Sequence, residues 1–211
     1  MKHDLNRARK CVEMLDQRRL ERALLGSGDS FQQVLSLLPL LFQLNHPSLP
    51  GYVVKAPCGV AHFSLSDYQQ RFLKGEYPAH YDAFKRQFYT AEPPILGLYV
   101  MGSFGSISQT SSSDMDTWIC CREDLNDIQR DLLTQKAHQI EEWALQFDVE
   151  IHFYLVDQQR FRNDRYADPI TNENSGSAQY MLLLDEFYRS AVRLAGNPLL
   201  STRRIGWISV D

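Results

Sequence analysis

The sequence predicts an α+β fold, a small mixed sheet flanked by helices with a helical extension at the N-terminus. Three observations point to it. Apolar residues at helical spacing dominate the chain before the first strand signal. Two strand-like stretches lie at the centre: Leu98–Met101, an apolar run between glycines, and Asp114–Ile119, which alternates with period two. A long amphipathic stretch then leads to a third strand, Val149–Val156.

Taken in order, Leu5, Ala8, Val12 and Leu15, then Ala23 and Leu24, recur roughly once per helical turn among many Arg and Glu. They predict an amphipathic helix ending near Gly26-Ser27-Gly28, where glycine relieves the C-terminus. Ser30 is placed to cap a second helix with Phe31, Val34, Leu35, Leu38 and Leu41 on one face. Pro39 within it predicts a kink or an early stop. His46–Gly59 holds Pro47, Pro50, Gly51, Pro57 and Gly59 and reads as a loop or hinge. Residues 1–60 are therefore expected to be a helical extension packed on a second unit, 61–211.

Ser66 with Gln69 has the spacing of a capping box and starts a polar helix running through Leu73. Tyr77, Tyr81, Phe84, Phe88 and Tyr89 follow; their helical spacing marks most of them as core rather than base-stacking residues. Pro93-Pro94 ends that segment. After the central strands, Asp124 or Asn126 caps a long helix whose buried stripe is read as Ile128, Leu132, Ile140, Ala144 and Phe147. Gln158–Ser177 is polar and rich in Asn and Asp, a long surface loop. A last helix starts at Gln179, buries Leu184, Phe187, Ala191 and Leu194, and stops at Gly196; Asp185, Arg189 and Arg193 lie on its other side.

The composition narrows the function. With 211 residues the chain can bury one sizeable core. A net charge of −4 gives no general attraction for nucleic acid or an anionic membrane. No apolar run has the length of a bilayer span, and the first ten residues are too polar for a signal peptide, so a cytoplasmic location without membrane insertion is expected. Cys11, Cys58, Cys120 and Cys121 form no CxxC pair; the adjacent Cys120 and Cys121 point to opposite strand faces and read as reduced thiols.

Chemistry concentrates between Gly97 and Cys121. Alternation puts Asp114 and Asp116 on one strand face with Met115 opposite. Two adjacent carboxylates repel unless a cation sits between them, and carboxylate oxygens suit Mg²⁺, which takes one or two of them together with substrate phosphates. Backbone N–H groups and hydroxyls around Gly102-Ser103 can hold phosphate oxygens. The alternative is an exposed strand with two solvated aspartates, and a bare Asp-x-Asp is compatible with either.

Gly-Ser followed by Asp-x-Asp resembles the nucleotidyltransferase fold of the DNA polymerase β type. The fuller strings MGSFGSISQTSSSDMDTWIC, VEIHFYLVDQQRFR and GSAQYMLLLDEFYRSAVRLAG, with FQQVLSLLPLL upstream, resemble the N-terminal catalytic region of the class I adenylate cyclases of enterobacteria. The resemblance runs from about Val12 to Asn197. It implies a nucleotidyltransferase-like catalytic domain over 61–211, continued in family members by regions beyond it that carry regulatory contacts. It further implies conversion of ATP to cyclic AMP and pyrophosphate with Mg²⁺, for which Mn²⁺ can substitute. Asp114, Asp116 and Glu150 would be the metal carboxylates. Gly102, Ser103 and Ser113 would position the outer phosphates, and Ser177, Gln179 or Arg189 would face the triphosphate. Trp118 shares the aspartate face, either lining the nucleotide pocket or packing. Two alternatives stay open: nucleotidyl transfer to a separate acceptor, and a fragment that only binds nucleotide.

Overall fold

The computed structural model describes residues 2–25, 27–101, 115–157, 187 and 189–198; for residues 2–6, 8, 9 and 157 it describes the backbone alone. Helices α1 (Lys2–Leu25), α2 (Asp29–Gln43), α3 (Asp67–Glu76) and the short α4 (Tyr81–Lys85) precede strands β1 (Ile95–Val100) and β2 (Met115–Cys121). Helix α5 (Asp127–Leu145) and strands β3 (Ile151–Asp157) and β4 (Val192–Gly196) follow. The sheet is mixed, in the order β3-β2-β1-β4: β2 runs parallel to β3, while β1 is antiparallel to both β2 and β4. The α+β class is therefore as expected.

The capping signals act as the sequence implies. Ser66 and Gln69 form a reciprocal capping box on α3, and Asn126, of the two candidates, forms one with Gln129 on α5. Helix α2 differs in two respects. Its cap is Gly28 rather than Ser30, and Pro39 neither stops it nor shortens it before Gln43. An interior proline costs about 3 kcal/mol. Burial of Leu37, Leu38, Leu40, Leu41 and Phe42 around it outweighs that, and Gln69 of α3 donates to the Ser36 carbonyl one turn earlier at 2.8 Å.

One face of the sheet carries the main core. Leu98, Val100, Met115, Ile119, Cys121 and Ile151 meet α2 and α5 there, with Phe42 packed edge-on to Phe153 at 5.1 Å. Leu20, Ala23 and Leu24 of α1 join this cluster, whereas Leu15, expected on the buried stripe, faces outward. Leu5 and Ala8 lie where side chains are not described. Phe84 is buried and Tyr77, Tyr81 and Phe88 pack against the core, as read from their spacing; Tyr89 is exposed.

The buried stripe of α5 is Leu133, Lys136, Ala137, Ile140 and Ala144. Ile140 and Ala144 are buried as expected and Phe147 packs against the core, but Ile128 is 72% exposed, and Leu133 and Ala137 line the N-terminal part of the stripe instead. Lys136, one turn before Ile140, lies on the same buried face. Its Nζ donates to the carbonyl oxygens of Leu44 (2.9 Å) and Gly51 (3.0 Å) and to Asn45 Oδ1 (3.4 Å), pinning the loop after α2 to α5. Gly51 sits at φ +73 where a Cβ would strike Ile140, so the loop can approach the helix only with glycine.

The largest correction concerns residues 192–196, expected to end a helix but forming β4. β1 would otherwise present an unpaired edge, and Val192–Gly196 satisfies it through the pairs Tyr99↔Arg193 and Val100↔Val192. Gly196, φ +94, lies against Gly97 so closely that a Cβ would collide with the Gly97 Cα. Tyr99 extends over Gly97 and donates its hydroxyl to the Asn197 carbonyl. Arg193 pairs with Asp16 of α1 (3.7 Å), and Arg19 donates to the Ala191 carbonyl (3.3 Å), so α1 docks on β4. All four cysteines are free, and Cys120 and Cys121 lie in clusters on opposite faces. Among the described residues no helix is long and apolar enough to cross a membrane.

Candidate functional site

The second face of the sheet carries those candidate residues of β2 and β3 that the structure describes. Alternation along β2 sends Asp116, Trp118 and Cys120 to this face and Met115, Thr117 and Ile119 to the helical core. The Asp116 carbonyl accepts the Met101 N–H at 2.8 Å, which ties Asp116 to the end of β1. From Met101 the chain enters the Gly-Ser stretch. Gly102, Ser103, Ser113 and Asp114 lie outside the described residues, as do Ser177 and Gln179.

Parallel pairing sets β3 beside Asp116. Its register partner is His152, and Trp118 is partnered by Tyr154. The Tyr154 hydroxyl donates to Asp116 Oδ1 at 3.4 Å. Glu150 stands just before β3, its carbonyl accepting from Met115 N–H at 3.1 Å, its carboxylate Oε1 3.2 Å from His152 Nε2. Glu150, His152 and Tyr154 alternate along one face, the Asp116 face. Glu150 and His152 remain about half exposed, at 57% and 46%, so both are open to solvent beside the buried strand.

Beneath this polar row lies an aromatic floor. Trp118, 2% exposed, stacks on Phe187 with centroids 4.6 Å apart and planes at 15°, and Tyr99 meets Phe187 edge-on at 5.4 Å. Met101 and Cys120 complete the cluster, with Tyr154 and Val156 against it. Burial pushes the Tyr99 hydroxyl and the Cys120 thiol well above their ordinary values, so both stay neutral. Of the two readings of Trp118, packing is the one its burial fits. Arg189 is exposed, two residues past Phe187 on the approach to β4.

Among the described residues no group of three or more His, Cys, Asp and Glu side chains could hold a metal ion. The donors on this face still fit Mg²⁺ in kind: carboxylate oxygens, with Asp116 Oδ2 unbonded among the described residues while Oδ1 is held by Tyr154. Mg²⁺ commonly needs no more from a protein than one or two such oxygens, the rest coming from phosphate and water. Sequence reasoning reached Glu150 and His152 through their alternation but passed over Tyr154. The same alternation extended two residues would have included it; its pairing opposite Trp118 required the register.

Comparison with known proteins places the chain. It is 65% identical over 207 residues to the adenylate cyclase of Haemophilus influenzae, matching 95% of this chain and 25% of that protein. It is 55% identical over 203 residues to the adenylate cyclase of Pasteurella multocida, and 40% identical over 190 residues to that of Escherichia coli. The chain thus spans about a quarter of the length of the curated relatives it matches. The crystal structure of a toxin–antitoxin with AMP-PNP is similar over 50% of this chain and 64% of its own at 20% identity, with a TM-score of 0.28 too low to weigh. Residues 4–201 match the family described as the adenylate cyclase NT domain, and the chain belongs to that family.

Proposed function

We propose that this domain carries the catalytic site of an adenylate cyclase, a cytoplasmic lyase converting ATP to 3′,5′-cyclic AMP and pyrophosphate. The observation that carries this reading, beside the family, is the position of Asp116. It leaves the centre of the sheet on the face away from the helical core, next to β3 and at the end of the strand that feeds Gly102-Ser103. In this reading residues 61–211 form a nucleotidyltransferase-type unit, and Asp114, Asp116 and Glu150 hold Mg²⁺ or Mn²⁺. Bound there, the ion would neutralise the triphosphate and lower the pKa of the ribose 3′-hydroxyl.

The remaining work falls to the chain. Cyclisation requires the 3′-hydroxyl to lie in line with the α-phosphate of the same nucleotide, so orientation supplies much of the rate. Gly102, Ser103 and Ser113 would fix the outer phosphates, and Ser177, Gln179 or Arg189 would face the triphosphate. The buried Trp118–Phe187–Tyr99 floor excludes water from one side and strengthens charge interactions above it. Incubation of the purified chain with ATP and Mg²⁺ or Mn²⁺, followed by product identification, tests the proposal. Cyclic AMP is expected. Pyrophosphate released only with an added acceptor would replace it with intermolecular transfer, and saturable nucleotide binding without product would reduce the domain to binding.

A further inference from the structure

We infer that Tyr154 is a positioning residue for Asp116, its phenol fixing the carboxylate so that one oxygen faces the metal–nucleotide. The inference rests on the assignment of Asp116 as a metal carboxylate. An aspartate near the start of a strand keeps a broad, roughly two-fold freedom about its last torsion. A donor on one oxygen removes that freedom and directs the other. Tyr154 supplies that donor to Oδ1 from the neighbouring strand at 3.4 Å. Such contacts are commonly long without ligand and tighten when it binds.

The hydroxyl is well placed because the ring beneath it is fixed from two sides. Trp118 is its register partner in β2, and the ring packs against the cluster of Trp118, Phe187, Tyr99, Met101 and Cys120. Phe187, stacked on Trp118, leads through residues 189–191 into β4. The carboxylate is therefore oriented by a rigid aromatic support reaching three strands of the sheet. Residues that hold a metal ligand in this way typically matter tenfold to a hundredfold for metal affinity.

The test is Mn²⁺ uptake by the 211-residue chain with a non-hydrolysable ATP analogue, followed by electron paramagnetic resonance of the free ion. Four proteins are compared: wild type, Tyr154→Phe, Asp116→Asn and the double variant. Tyr154→Phe removes one oxygen and keeps the ring in its packing. It is expected to weaken Mn²⁺ binding about tenfold to a hundredfold, to leave the thermal midpoint unchanged, and to add nothing in the Asp116→Asn background. Equal binding by wild type and Tyr154→Phe, with Asp116→Asn impaired, would overturn the role of Tyr154 and leave the Asp116 site standing. So would the same loss in both backgrounds, the mark of a merely structural effect. Undiminished binding by Asp116→Asn, or no uptake by wild type, would remove the metal site and the role of Tyr154 with it.

Discussion

Replacing Lys136 with methionine isolates the effect of one buried charge. Lys136 is fully buried, and burial pushes its ammonium down from the usual 10.5 to about 8. At neutral pH it is therefore still charged, held by the Leu44 and Gly51 carbonyls and the Asn45 side chain. The sign of the pH dependence follows. Between about pH 8 and 10.5 the unfolded chain keeps the proton that the folded chain releases, so stability rises with pH across that window. Below pH 8 both states are protonated and the penalty is fully present. A depression of about 2.5 units, at 1.36 kcal/mol per unit, makes the rise roughly 3 kcal/mol.

Lys136→Met removes this titration. At pH 7 it also orphans two carbonyls, each costing about 1–3 kcal/mol, which roughly offsets the relief of the charge. The informative quantity is therefore the slope, not the neutral-pH value. Cys58, whose thiol burial pushes up, drives stability the opposite way at high pH and acts on Lys136 by charge, so both proteins should carry Cys58→Ser. Urea unfolding followed by circular dichroism at several pH values gives the difference between the Cys58→Ser protein and the same protein carrying Lys136→Met. That difference should move by roughly 3 kcal/mol in favour of the lysine protein between pH 8 and 10.5. A flat difference, or one of opposite sign, would refute the reasoning.

Glu150→Gln should lower turnover on the order of a thousandfold while nucleotide affinity changes little, since a third carboxylate serves the activated hydroxyl; unchanged kinetics, checked by initial rates of cyclic AMP formation, would return Glu150 to partnering His152 alone. Ser103→Ala should weaken ATP binding more than AMP binding in calorimetric titrations, because the Gly-Ser stretch is assigned to the outer phosphates. Gly196→Ala should destabilise by more than about 2 kcal/mol, since the new Cβ meets the Gly97 backbone at a positive φ; a denaturant midpoint equal to wild type would show that β4 can move off β1.

Local signals were legible and long-range ones were not. Ser66 with Gln69 acts through residues three apart, so spacing alone found that cap, whereas the α5 cap was narrowed only to Asp124 or Asn126 until the Asn126–Gln129 box chose between them. Alternation placed Met115 opposite Asp116, and Cys120 opposite Cys121, because a strand settles that without reference to its neighbours. The apolar residues Phe187, Ala191 and Leu194 fit a helical stripe, yet the open edge of β1, invisible in that segment, drew Val192–Gly196 into the sheet. Lys136 was hidden for a related reason: its acceptors come from a loop far from α5 in sequence, and nothing nearby marks it as interior. The Asp116–Tyr154 contact needed the β2–β3 register, which neither strand specifies by itself.

The docking of α1 on β4 bears on how the chain reaches its fold. Arg19 and Ala191 are 172 residues apart, and Tyr99 and Asn197 are 98 apart. Contacts of such separation demand closure of large loops before they contribute any stability, and topologies rich in them fold slowly. During synthesis, which proceeds from the N-terminus, β1 is made long before its β4 partner, and α1 longer still before the strand it docks on. Until then the outer edge of β1 is open to pairing with other chains. Folding yield should accordingly depend on concentration and on chaperone supply more steeply than the helical half of the sequence would imply.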